Sequence, residues 1–82
     1  MSIEKMLVSR PDLDYYLQLR YSYRVLPEST GGFFVDFPDL PGCATHVDDA
    51  EQIDAMAAEI RELWIETEYA AGEIIPPPSH SA

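Results

Sequence analysis

Cys43 and His46 are the one local pair in the chain that joins a nucleophile to a base. Covalent catalysis of that kind needs the two side chains within hydrogen-bond reach of each other. Three positions apart on an extended strand they point to opposite faces, so the spacing favours a half-buried thiol and a surface imidazole. Asp36, Asp39, Asp48 and Asp49, with His46, offer the oxygen-rich donors that a hard divalent cation takes. Turn formation, helix capping and solubility already account for each of these acids. No phosphate-cradling glycine loop, zinc-ligand spacing or serine elbow is present, and His80 falls in a short tail. The residues therefore predict a binding protein and not an enzyme, with no catalytic centre, cofactor or metal.

Composition narrows what such a protein binds. The chain has 82 residues, enough for one domain with a small core, so self-association into a homo-oligomer is expected. A single cysteine excludes an internal disulfide and a cysteine-based metal motif. No apolar run is long enough to span a bilayer, and the start, Met1 to Leu7, lacks the stretch of a secretory signal, so a cytoplasmic address is expected. Asp and Glu number 15 against 5 Lys and Arg, for a net charge of -10. The imbalance is concentrated: residues 1–47 carry a net of -2 and residues 48–82 a net of -8. Such a surface repels phosphate backbones, so direct nucleic-acid binding is not expected, whereas a basic protein partner is complementary to it.

The elements that position these residues can be read from periodicity. Asp12 reads as the N-cap of a short helix with Leu13, Tyr16 and Leu17 at helical spacing, inside an N-terminal extension covering 1–19. Alternation then marks a sheet region over 20–47. A first strand carries Tyr21, Tyr23 and Val25 on one side, the Pro27–Gly32 turn follows, Phe33–Phe37 forms a second strand, and Cys43–Val47 a shorter third. The main helix region spans 48–72, with a capping box of Asp49 and Gln52 and a left-handed C-cap at Gly72. Its expected inner stripe is Ile53, Met56, Ala57, Ile60, Leu63, Trp64, Thr67 and Ala71. Ala55, Ala58, Ile65 and Tyr69 then fall on the outer face among Glu51, Glu62 and Glu66, which makes Ala58, Ile65 and Tyr69 the expected oligomer interface. A proline-rich tail, 73–82, is expected to be extended with Ile74 and Ile75 tucked back. The fold class is α+β: a small antiparallel three-stranded sheet packed by one long helix, with a short N-terminal helix.

The run Gly31-Gly32-Phe33-Phe34-Val35-Asp36-Phe37-Pro38-Asp39-Leu40-Pro41-Gly42-Cys43 resembles the signature of the HicB-like antitoxins. The resemblance continues through Thr45, Asp48-Asp49, Ala57, Leu63-Trp64-Ile65 and Gly72 to Pro78, so it covers about residues 21–78. It implies a partial RNase H-like fold and a partner, a small basic HicA-like mRNA-cleaving toxin whose active site the antitoxin covers. Asp36, Asp39, Glu51, Glu59, Glu62 and Glu66 are the residues expected to meet that partner. Antitoxins of this kind usually continue after the prolines into a DNA-binding domain and a further strand, and neither is expected here. The N-terminal helix is similar to that of short free-standing members, so the alternative is an oligomeric HicB-like protein with a non-toxin partner or ligand.

Overall fold

The computed structural model describes residues 10–79; residues 1–9 of the expected N-terminal extension, and His80, lie outside them. The element order is α1 (Leu13–Gln18), β1 (Arg24–Pro27), β2 (Phe33–Asp36), β3 (Ala44–Val47), a 3-10 turn (Ala50–Gln52) and α2 (Ile53–Ala70). The strands form one antiparallel sheet in the order β1-β2-β3, and the α+β class is as expected.

Local chemistry explains each boundary. Asp12 caps α1, its carboxylate accepting from the Tyr15 amide at 3.3 Å. The first strand begins later than alternation suggested and takes in Pro27, which pairs with Phe33. The Glu28 amide donates to the Gly32 carbonyl at 3.0 Å. Alternation from that bond turns the Arg24 and Leu26 amides toward β2 and the Pro27 nitrogen outward, where no donor is needed. Gly32 closes the turn at φ 76°, and a Cβ there would lie 2.5 Å from the His46 ring and 2.8 Å from the Val47 carbonyl. Between β2 and β3, Leu40 folds beneath the turn and is fully buried beside Phe37 and Cys43.

The capping box between Asp49 and Gln52 does not form. The chain enters α2 through a 3-10 turn, in which the Gln52 amide donates to the Asp49 carbonyl at 3.0 Å and no side-chain cap is made. The donor that the box needs is thus already used by the backbone. The other end behaves as expected: Gly72 has φ 76°, its amide donates to Tyr69 O, and the Glu73 amide donates to Glu68 O at 2.9 Å. These two bonds make a Schellman cap.

The roll of α2 differs from the expected one. Ile65 is 0% exposed and Leu63 is 62% exposed, the reverse of their predicted placement. Thr67 and Ala71 also face solvent, while Tyr69 is half-buried. The reason is a second partner for the helix. Arg61 donates to the Leu17 carbonyl at 3.0 Å, the Tyr69 hydroxyl donates to the Pro11 carbonyl, and the Tyr16 and Tyr69 rings lie 5.9 Å apart. Ile65 sits one turn from both Arg61 and Tyr69, so it lies under α1 while Ala57, Ile60 and Trp64 face the sheet side. Ile75 joins the core and Ile74, expected to tuck in with it, is exposed. The Tyr21 hydroxyl pins the tail by donating to the Pro76 carbonyl at 2.6 Å.

On the sheet's outer face His46 is clamped between two acids, Nδ1 at 2.6 Å from Glu28 and Nε2 at 3.0 Å from Asp48. Both ring nitrogens can donate only in the imidazolium. The hydrogen bond to Glu28, then that to Asp48, pushes the His46 pKa up from its ordinary 6.5. The clamp joins the β1–β2 turn, β3 and the approach to α2.

Two outcomes follow from this geometry. Ile65→Ala destabilises the protein by about 2 to 5 kcal/mol in urea unfolding, whereas Leu63→Ala stays within about 0.5 kcal/mol of wild type; the opposite ranking would restore the predicted roll. For the clamp, a raised folded-state pKa means its stabilisation is complete below pH 6.5, the unfolded value, and fades as pH rises through the folded value. The thermal midpoint should therefore fall more steeply above pH 6.5 in wild type than in His46→Gln, and parallel curves would show that the clamp adds nothing.

Candidate functional site

The sheet separates the residues that looked closest to chemistry. Cys43 is buried on the helix side, its thiol 3.6 Å from the Ile60 carbonyl, and burial pushes its pKa up to about 11. A thiol that stays protonated at neutral pH is a poor nucleophile. His46 is exposed on the other side and held by Glu28 and Asp48. Among the described residues no group of three His, Cys, Asp or Glu side chains is arranged to hold a metal ion.

The acids expected to meet a partner divide into two sets. Asp36 is opposite Arg24 in the ladder and accepts from it twice, at 2.9 Å from Nε and 2.7 Å from Nη2. That hydrogen bonding holds the Asp36 carboxyl below its ordinary value, and its charge is matched within the chain. Asp39 accepts from the Ser79 amide at 2.9 Å and so fastens the tail to the β2–β3 turn. Glu51, Glu59, Glu62 and Glu66 form the second set; all four are exposed. Glu59, Glu62 and Glu66 recur every three or four residues and make a ridge along α2.

Three of the arginines are engaged by partners within the chain. Arg10 lies 4.0 Å from the centroid of the Tyr69 ring and donates to the Tyr69 and Glu73 carbonyls at 3.2 and 3.4 Å. It thereby places a cation at the negative end of the α2 dipole. Arg61 is held by α1 and Arg24 by Asp36. None of these three arginines answers the glutamates of the ridge.

Of the expected oligomer interface, only Ala58 lies open. Ile65 is in the core, and Tyr69 is covered by Arg10, Pro11 and Tyr16, so the exposure on which that expectation rested is absent at both. In their place Leu63 stands on the surface, one turn from Glu59 and from Glu66. It borders a groove of about 240 Å³ lined by Gly42, Ala44, Ile60, Trp64 and Glu68 among others. The Trp64 indole N–H shapes this groove by donating to the Pro41 carbonyl at 2.9 Å. A second groove of about 410 Å³ lies on the outer face, against Phe34, Asp36, Pro38 and Pro41. Reading α2 with the sheet as its only partner missed Leu63. The available signal was α1, whose stripe of Leu13, Tyr16 and Leu17 needs an apolar surface, and Ile65 with Tyr69 is the surface α2 has to offer.

Among the described residues no helix is long and apolar enough to cross a membrane. No curated protein matches the chain. The family model for HicB-like antitoxins of bacterial toxin-antitoxin systems matches residues 21–82, which takes in the sheet, the Pro-Gly turn, α2 and the tail and leaves α1 outside. The chain, an acidic helix over a three-stranded sheet joined by the Pro-Asp-Leu-Pro-Gly turn, belongs to the HicB-like antitoxin family.

Proposed function

We propose that this protein neutralises a small, basic, HicA-like RNA-cleaving toxin by laying the outer face of α2 over the toxin's cationic RNA-binding surface. The observation that carries the reading is the ridge of Glu59, Glu62 and Glu66, extended by Glu51, whose charge is not taken up by Arg10, Arg24 or Arg61, each held elsewhere in the fold. A protein that grips RNA presents Lys and Arg to phosphate, and an acidic cover competes for the same groups. Net charge of -10 also steers the two partners together before they touch. Asp36 contributes shape more than charge to such a contact, because Arg24 already neutralises it.

The test is charge reversal on the ridge. Glu59→Lys with Glu62→Lys should slow association with the cognate toxin by roughly tenfold or more at low ionic strength, with the difference shrinking as salt is added. The double variant should also lose the ability to rescue cells expressing that toxin. Thermal unfolding should stay close to wild type, since both positions are exposed. Undiminished rescue at normal expression would remove the ridge as the inhibitory surface, and failure of the wild-type protein to rescue would favour a non-toxin partner.

A further inference from the structure

The two grooves meet at one place. Gly42, Cys43 and Ala44 line both, the smaller on the helix side of β3 and the larger on the outer side. That meeting point is also a sheet edge, because among the described residues β3 pairs with β2 alone. The Phe37 amide donates to the Cys43 carbonyl at 3.0 Å, and alternation from that bond turns Cys43, Thr45 and Val47 toward β2. The amides and carbonyls of Ala44 and His46 then point away from the sheet.

We propose that this edge of β3 receives an extended segment of the partner as a fourth strand, an inference that rests on the antitoxin reading above. Side chains of an added strand alternate between faces, so one enters the helix-side groove beside Leu63 and its neighbours lie over Phe34 and Pro41. The helix-side groove, walled by Ile60, Leu63 and Trp64, takes an apolar side chain. Glu59 and Glu66 flank Leu63 and Glu68 lines the groove, so the positions two residues before and after that side chain suit arginine. This charge pattern selects a basic partner over a second copy, whose own -10 charge would meet the same carboxylates.

The experiment titrates the full-length protein with a capped peptide whose central leucine has an arginine two residues away on each side, followed by amide NMR and hydrogen exchange. The Ala44 and His46 amides should shift and gain exchange protection, and the Leu63 amide should shift with them. N-methylating the peptide amides that face the edge should weaken binding roughly tenfold or more, since main-chain bonds carry strand addition. Leu63→Asp should do the same; Leu63 is exposed, so that variant keeps its fold, and the methylated peptide leaves the protein untouched. Equal affinity for methylated and unmethylated peptide, or shifts confined to Glu59, Glu62 and Glu66, would overturn the strand addition while leaving the acidic ridge in place. Protection of Ala44 and His46 that rises with protein concentration and without peptide would overturn it in favour of a second copy. Failure of the antitoxin reading has a separate signature, wild-type protein that neither binds the cognate toxin nor rescues cells from it.

Discussion

The roll of α2 about its own axis is set by Ile65, and most of what the molecule presents to its surroundings follows from that. An 18-residue helix lying on a small sheet has one flank against strands and another that would face water. Here α1 takes the second flank. A helix of six residues has no stability of its own, so α1 exists because Tyr16, Leu13 and Leu17 find the surface around Ile65 and Tyr69. The dependence is mutual. Arg10 and Arg61 tie the segment down through backbone carbonyls, one at the end of α2 and one at Leu17, and the paired elements bury what neither could bury alone.

Turning Ile65 inward turns Leu63 outward, and charge sorts itself by the same rotation. The arginines near α2 lie where α1 and the helix terminus can use them, and the glutamates lie on the arc that remains. A chain with so few bases has little choice in this. Placing three arginines against carbonyls, a ring and Asp36 leaves the exposed ridge with an almost unopposed field. Such a field acts over about a Debye length in physiological salt. It therefore governs encounter, while contact depends on the shape of the grooves beside it.

The sheet was legible because its signals are local. Alternating apolar residues and turn glycines set the hairpin, and the Asp12 cap and the Gly72 terminus were written in residue types whose geometry is specific. Pro27 was assigned to the turn because a proline inside a strand is usually excluded; only the register shows its nitrogen facing away from the ladder. The Asp49 capping box failed for a similar reason, since a 3-10 entry uses the same amide by a backbone route that residue types do not reveal. The phase of α2 needed long-range information. Periodicity ranks the faces of a helix by hydrophobicity but does not say how many partners will share them, and Leu63 and Ile65 are equally apolar. Glu59, Glu62 and Glu66 were read correctly as exposed because charge decides exposure without reference to a partner.

The two edges of the sheet are not equivalent, and the difference bears on which of them meets another protein. On β1 the outward positions include Pro27, which has no N–H to offer, and the neighbouring turn carries Glu28 in its clamp with His46. A strand arriving there would find its hydrogen-bond row interrupted, a common way of discouraging edge pairing. On β3 the outward positions are Ala44 and His46, neither of which removes a donor, and Ala44 has too small a side chain to obstruct an approach. The grooves on either side of Ala44 give alternate side chains of an incoming strand somewhere to go. One edge is thus blunted by its sequence and the other is left usable, and the usable one lies beside the exposed Leu63 at the foot of the acidic ridge.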